Sequence, residues 1–460
     1  MKLTEAYAKR LAISESVYSK KHNGEKMDSH KKIAVAKCLQ NVNSFLNEAF
    51  DASVGTQRSD MGLFKKFCLN LTTVALPNLI AHDLVMVSPM SSMSGYVTYI
   101  EYQYSTTKGD AVAGETFNSP FALGDAKPDF TSERVVEEAT VAEGKVTLAW
   151  APVAEIGSVI AVEGSMDNVT YTFDATTGVV TFVAGEETET ANAGVIPTKV
   201  KIGYVYNNIV VPQNNIPSIK AEMKSIPLLA KARRIAVYYS QIAAFQAKTD
   251  YGFDLGDQLA EKAVGQLSYE IDTEIVNFLD KIAAEGEALP AWNRTVPTGI
   301  SKAEHYEGFA EVIEIGRQVI YDRTKRFAPN YMIIASDILP ILTFMRGFSA
   351  APAGQINGPY FAGTLNGLKV FVSPAIAAGR FLLGVNGDDM MSSVAVYAPY
   401  MAIVPTQLLQ YADGGTSQGW STMYDLVKLN GNLIVAGSVA GSAFATVGTD
   451  ATTPFYNSVV

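Results

Sequence analysis

Residues 254–286 read DLGDQLAEKAVGQLSYEIDTEIVNFLDKIAAEG. Leu255, Leu259, Ala263, Leu267, Ile271, Ile275, Leu279 and Ile282 recur almost every fourth residue, which puts them on one face of a single helix. Asp254 suits the capping position and Gly286 falls just past the end. At 1.5 Å per residue such a helix is roughly 45 Å long. Its outer face reads as acidic, with Asp257, Glu261, Glu270, Asp272, Glu274 and Asp280. Two readings stay open at this point: a plain core helix, or a rail joining distant parts of a fold.

The chain around it is long and acidic. Its 460 residues, 48% of them apolar, suffice for two or three domains. The net charge of −10 disfavours nucleic-acid binding over the whole surface. The charge is uneven, however. Residues 1–37 carry nine Lys/Arg against four acids, so this segment is +5 and the remainder −15. The two cysteines, Cys38 and Cys68, lie in apolar helical contexts and read as buried free thiols rather than a disulfide framework. The N-terminus lacks the apolar core of a signal peptide, and no run of about 18 apolar residues predicts a membrane span.

Upstream of the long helix, residues 1–50 read as helices broken at His22-Asn23-Gly24. Ile33, Ala36, Cys38, Leu39, Val42, Phe45, Leu46 and Phe50 form the apolar stripe of the second. A short helix is expected over Phe64–Leu71. Residues 83–104 read as two strands around a polar turn, and 105–131 as an extended loop. Between 132 and 206, the runs KVTLAW, SVIAVEG, VTYTFD, GVVTFVAG and KVKIGYVY predict five short strands of a small sandwich-like domain. The turn-rich stretches on either side mark that domain as an insertion. Residues 218–237 read as a strand running into a basic segment, and 238–249 as a helix.

Downstream, 301–326 predicts one amphipathic helix with Phe309, Val312, Ile313, Ile320 and Tyr321 inward. Tyr331–Ala335 is an apolar strand, with Ser336 or Asp337 capping a short helix to Met345. Leu365-Asn366-Gly367-Leu368 is a hairpin turn. Further strands follow to residue 435, with a Gly-rich break at 413–419.

Motifs that carry chemistry are missing. The four histidines (His22, His30, His82, His305) have no metal-ligand spacing and read as surface or capping residues. There is no GxSxG elbow, Walker loop or GxGxxG. Gly384–Asp389 lacks the length of a calcium loop and reads as an acidic hairpin turn. No catalytic residue, cofactor or metal is expected. The sharpest charge feature is the basic run Lys231-Ala232-Arg233-Arg234, for which the acidic helix face is the simplest partner. Lys231, Arg233 and Arg234, with Glu270, Asp272 and Glu274 opposite, are thus candidate contacts within the chain or between subunits.

Two segments carry a family resemblance. PNLIAHDLVMVSPMSSMSGYVTYIEYQY (77–104) resembles the T-even-type phage major capsid proteins in its Pro–Leu–Ile stretch, Ser–Pro–Met motif, Gly-bearing turn and aromatic strand. LLAKARRIAVYYSQIAAFQAKTDYGFDLGDQLAEKAVGQLSYEIDTEIV (228–276) resembles the family's basic stretch, short helix, Tyr-Gly break and long helix. The resemblance implies an α+β subunit of the Hong Kong 97-type capsid fold, with the small all-β domain inserted in its extended loop. Residues 1–78 would be an N-terminal arm. Segments 79–131 and 207–238 would form the extended loop and peripheral-domain strands, flanking the inserted domain at 132–206. Then would come a peripheral domain with its spine helix at 239–290, an axial domain at 291–420, and peripheral strands and tail at 421–460.

The function implied is a self-assembling icosahedral shell of hexamers and pentamers around the phage genome. Its partners would be copies of itself, neighbouring vertex or decoration proteins, and portal and scaffold during assembly. Double-stranded DNA would be enclosed without sequence-specific contact, and no membrane is involved. The site would be the virion capsid, and the host cytoplasm during assembly. A minor vertex protein, a bacterial nanocompartment shell and an enzyme with an appended β module are the alternatives. The family loses an N-terminal propeptide to a protease that cuts after Glu. Here we expect the N-terminus from Met1 to be kept, against which a virion protein starting after Glu15, Glu25 or Glu48 would count.

Overall fold

The computed structural model describes residues 2–21, 24–51, 68–77, 79–118, 127, 129–186, 194–207, 216–252, 254–351, 358–387, 389–406, 409–411 and 414–441. The chain forms two compact units, mixed helix and sheet in one and sheet in the other. The first comprises Met1–Thr98 and Ser225–Val460, the second Tyr99–Lys224.

In the first unit the long helix runs Leu255–Ala284, 30 residues. Its start is fixed by Asp254, whose carboxylate accepts the Gly256 N–H at 2.9 Å. Ala263, Leu267, Ile271, Ile275, Leu279 and Ile282 are all buried, as the four-residue spacing requires. Leu255 and Leu259, near the free end, are only half-buried.

The helix packs on a five-stranded sheet. Its path runs Met86–Val87, Ala395–Pro405, Gly415–Lys428, Lys231–Ser240, and Leu409–Gln410 also pairs with Gly415–Lys428. Ala263 and Leu267 of the helix cluster with Ile235 and Val237 of one strand and Trp420 of the next. The strand Gly415–Lys428 begins inside the Gly-rich stretch expected to be a break. Glycine leaves room there for a close approach. The Gly419 N–H reaches Thr406 Oγ1 at 2.9 Å, and a Cβ at 419 would stand 3.1 Å from that oxygen.

A seven-stranded sheet follows the order Trp292–Asn293, Ile434–Ala440, Arg380–Gly384, Tyr331–Ile334, Leu368–Val372, Tyr360–Leu365, Phe348–Ala350. The chain therefore leaves this sheet to build the five-stranded one and returns for its strand Ile434–Ala440. Asn366 and Gly367, with φ of 46° and 84°, make the tight hairpin between paired Leu365 and Leu368.

Several local expectations fail for identifiable reasons. Residues 301–326 form two helices, Lys302–Glu307 and Phe309–Thr324. A capping box between Ser301 and Glu304 starts the first, and Gly308 ends it. Tyr321 is 50% exposed, because it lies 100° around the helix from buried Ile320. Asp337 caps no helix. Its carboxylate accepts the Gly379 N–H at 3.1 Å and its carbonyl accepts Arg294 at 3.0 Å. His82 is buried rather than superficial, and on the helix Ser29–Asp51 Ile33 and Phe45 face solvent. The helix expected at 64–71 is described over 68–77; residues 64–67 lie outside the described residues, as does the tail beyond 441.

The second unit holds six strands between 134 and 206, in two three-stranded sheets. One is Arg134–Thr140, Lys199–Tyr206, Val153–Glu163; the other is Lys145–Thr147, Val179–Ala184, Val169–Asp174. Val135, Val146, Leu148, Val180, Phe182 and Ile202 share one core. The strand Arg134–Thr140, absent from the sequence reading, is masked there by adjacent Glu137 and Glu138. Lys108 is buried beside this core, and among the described residues it makes no ion pair. Its amine donates to Phe130 O (3.0 Å) and Tyr206 OH (3.1 Å), and lies over the Trp150 and Tyr206 rings. Burial holds its pKa below the usual lysine value.

Buried acids with raised pKa set an alkaline limit on stability. Burial pushes the Cys38 thiol up to about 12 from 9.0, and the Tyr331 and Tyr397 phenols well above 10.0. The folded chain keeps these protons where the unfolded chain releases them. Their contribution is therefore complete below about pH 9 and is lost as pH rises through 9 to 10 and beyond. Melting temperature should hold from pH 7 to 8.5 and fall steadily by pH 10.5. Tyr331→Phe should flatten that fall, and a flat wild-type profile would refute the assignment.

Candidate interaction surfaces

The basic run lies on the strand Lys231–Ser240, the last in the path of the five-stranded sheet. Strand alternation decides where each charge points. Arg233 is on the same side as Ile235 and Val237, toward the long helix; Lys231 is exposed, and Arg234 is exposed on the opposite side. Arg233 meets Glu274 at 2.5 Å and Glu270 at 4.0 Å, and its guanidinium lies over the Tyr424 ring at 5.6 Å. Tyr424 OH donates to Glu274. Burial first, and then that bond, raise the Tyr424 pKa and keep it a donor. All partners but the tyrosine are about one-third exposed, so the Arg233 pairs contribute on the order of 0–1 kcal/mol.

Arg233, Glu270 and Glu274 are thus brought together within one chain; Lys231 and Arg234 have no carboxylate contact among the described residues. Asp272 departs from the expected acidic outer face. It is 6% exposed, and its carboxylate accepts the Ile80 N–H at 2.9 Å. Asp272 shares a stripe with Val276, Leu279 and Ala283, all buried, so this half of the helix is covered on two sides. A helical wheel alone does not reveal that a backbone amide from residue 80 needs an acceptor there.

A surface that charge patterning missed lies in the second unit. Residues 99–104 and 219–224 belong to neighbouring strands, Ser94–Tyr104 and Ile219–Leu229. On one face Lys224 pairs with Glu101 at 2.5 Å, and Gln103 donates to Glu222 at 2.9 Å. Glu101 and Gln103 are buried. Alternation sends Ile100, Ile219 and Met223 to the other face, where they are 41, 57 and 74% exposed. The order is mixed along this ribbon: Tyr104, on the Ile100 side, is buried, whereas Lys220 and Glu222, on the Glu101 side, are exposed.

Among the described residues no group of three or more His, Cys, Asp or Glu is placed to hold a metal ion. No helix among them is long and apolar enough to cross a membrane. What the described residues do present is an ion pair between the long helix and its sheet, and a patch of exposed apolar side chains on the ribbon.

Comparison with known proteins gives the class. The sequence profile of the family described as Major capsid protein Gp23 matches residues 61–455. The chain belongs to that family, whose members are structural proteins of the capsid shell. It is 24% identical over 377 residues to the major capsid protein of Vibrio phage KVP40, covering 72% of this chain and 69% of that one. With the major capsid protein of Enterobacteria phage T4 it shares 23% identity over 393 residues, 76% of this chain and 73% of the relative. Solved structures from Mycobacterium phage Che8 (12% identity, TM-score 0.35, 64% of this chain and 96% of that) and Microbacterium phage Oxtober96 (13%, 0.33, 73% and 96%) overlap it more loosely.

Proposed function

We propose that this shell-forming subunit has the Hong Kong 97-type fold and assembles as hexamers and pentamers into an icosahedral capsid around double-stranded DNA. The long helix is the spine of a peripheral domain, and the six strands between 134 and 206 form a domain inserted in an extended loop. The observation that carries this reading is the exposed apolar patch on the ribbon. A lone subunit in water gains nothing from exposing Ile100, Ile219 and Met223 side by side. A neighbouring copy covering these side chains removes them from water, and much of the stability then resides in the assembly.

Lys231 and Arg234 are the basic residues offered to a neighbour, while Arg233 braces its own helix through Glu270 and Glu274. Asp272 serves the interior of its own subunit. The net charge of −10 suits a wall along which packaged DNA slides. Portal, scaffold, vertex and decoration proteins are the further partners, met in the host cytoplasm during assembly.

Electron microscopy of the purified full chain tests the reading. Shells, sheets or tubes in the megadalton range are expected, and a small soluble oligomer at every concentration would overturn it. Charge reversal by Arg234→Glu should reduce assembled material several-fold, with melting of the unassembled subunit changed by no more than about 0.5 kcal/mol. Equal loss of both would place Arg234 in the fold rather than the contact.

A further inference from the structure

We propose that the strand Val169–Asp174 joins two copies of this chain edge to edge, antiparallel, across a two-fold axis at Thr172. The strand ends the sheet Lys145–Thr147, Val179–Ala184, Val169–Asp174, and among the described residues it has a neighbouring strand on one side only. Thr170 to Asp174 are all exposed. An open strand edge is a template for another strand, and sheets blunt it with charge, bulges or shortness. The other three edges of this unit are blunted so. Arg134–Thr140 carries Arg134, Glu137 and Glu138, Val153–Glu163 shifts register three times, and Lys145–Thr147 is three residues long. Val169–Asp174 has none of these protections. Its six residues pair with Val179–Ala184 without a register shift. Its one charge, Asp174, is engaged in the turn at the strand's end, accepting the Thr176 N–H at 2.9 Å and the Thr177 hydroxyl at 2.8 Å.

The edge is complementary to itself. Phe182 gives its N–H to the Gly144 carbonyl at 2.7 Å, away from this strand. Alternation then points the backbone groups of Thr181 and Val183 at Val169–Asp174, and leaves those of Tyr171 and Phe173, opposite Phe182 and Val180, directed outward. Across a two-fold axis normal to the sheet, opposed side chains share a face, so only residues an even number apart can meet. With Thr172 opposite its own copy, Tyr171 meets the second copy's Phe173 on each side of the axis. The outward N–H and C=O groups of both residues are then used, and no like charges meet. The two rings, 38 and 40% exposed in one chain, cover each other as cross-strand aromatic pairs. An axis at Tyr171 would instead set Phe173 against Val169, whose N–H already goes to the Met166 carbonyl at 3.3 Å. The contact deepens the shell reading by naming one place where subunits meet, and shells that form without it would leave that reading intact.

Disulfide trapping on the purified full chain, assembled or not, tests the contact; both native cysteines are buried. The two Thr172 residues would form a non-hydrogen-bonded pair with Cα atoms about 4.5 Å apart, within disulfide reach. Under mild oxidation Thr172→Cys should give about 10-fold more disulfide-linked dimer than Val183→Cys. Val183 is 53% exposed, yet three strand spacings, at least about 14 Å, would separate it from its mate. Adding Tyr171→Pro to Thr172→Cys removes an outward N–H that the subunit's own ladder does not use, and should bring the dimer down to the Val183→Cys level. Trapping that Tyr171→Pro leaves unchanged would overturn the proposal. So would equal trapping by Thr172→Cys and Val183→Cys, the result expected if an extended segment of another protein takes this edge.

Discussion

Met223→Glu combined with Ile100→Glu is expected to abolish shell formation while leaving a folded subunit. Both side chains stand on the apolar face of the ribbon, 74 and 41% exposed, so neither contributes much to the core of its own chain. In a contact that buries them, each apolar side chain contributes on the order of 1.5–3 kcal/mol. A carboxylate in its place loses that and adds a desolvation cost. Even about 3 kcal/mol per contact raises the concentration needed for assembly roughly 100-fold. Sedimentation velocity across a concentration series gives the answer. Shells persisting at the wild-type threshold would show that this face stays open to water in the particle.

The second large effect concerns the long helix. Ile275→Ala removes a fully buried side chain from its centre. Large-to-small changes at such sites cost about 2–5 kcal/mol, and alanine's better helix propensity returns only a few tenths. Against a typical stability of about 5–15 kcal/mol this is a major loss. Lys262→Ala, on the exposed side of the same helix, should stay within about 0.5 kcal/mol. Urea denaturation of the unassembled subunit separates the two. Similar losses would deny the helix its role as the packing centre of the first unit.

What could be read from residues alone follows from how local the cause is. The long helix was legible because its apolar period and its Asp254 cap lie within one segment. The hairpin at Asn366-Gly367 was legible for the same reason. Asp272 was misplaced because its partner, the Ile80 amide, is 192 residues away. Tyr321 and Gly308 show the limit at smaller scale: one residue of phase turns a side chain outward, and one glycine divides a helix. The basic run and the acidic helix were each visible, and Arg233 does join them. Which of three neighbouring cations would turn inward depended on strand alternation fixed by pairing with Gly415–Lys428. The exposed apolar patch was hidden for a related reason. Tyr96 to Tyr104 alternates plainly, but nothing local tells which side of a strand water will touch.

The two buried thiols have a practical corollary. Cys38 and Cys68 are the chain's only cysteines, and both are free and enclosed. Cys38, held protonated, is a poor nucleophile. A single Asp167→Cys change, at an exposed turn of the second unit, would then give each subunit one addressable sulfur. Maleimide dyes, metal tags or peptides could be coupled there stoichiometrically, with no native cysteine to remove first.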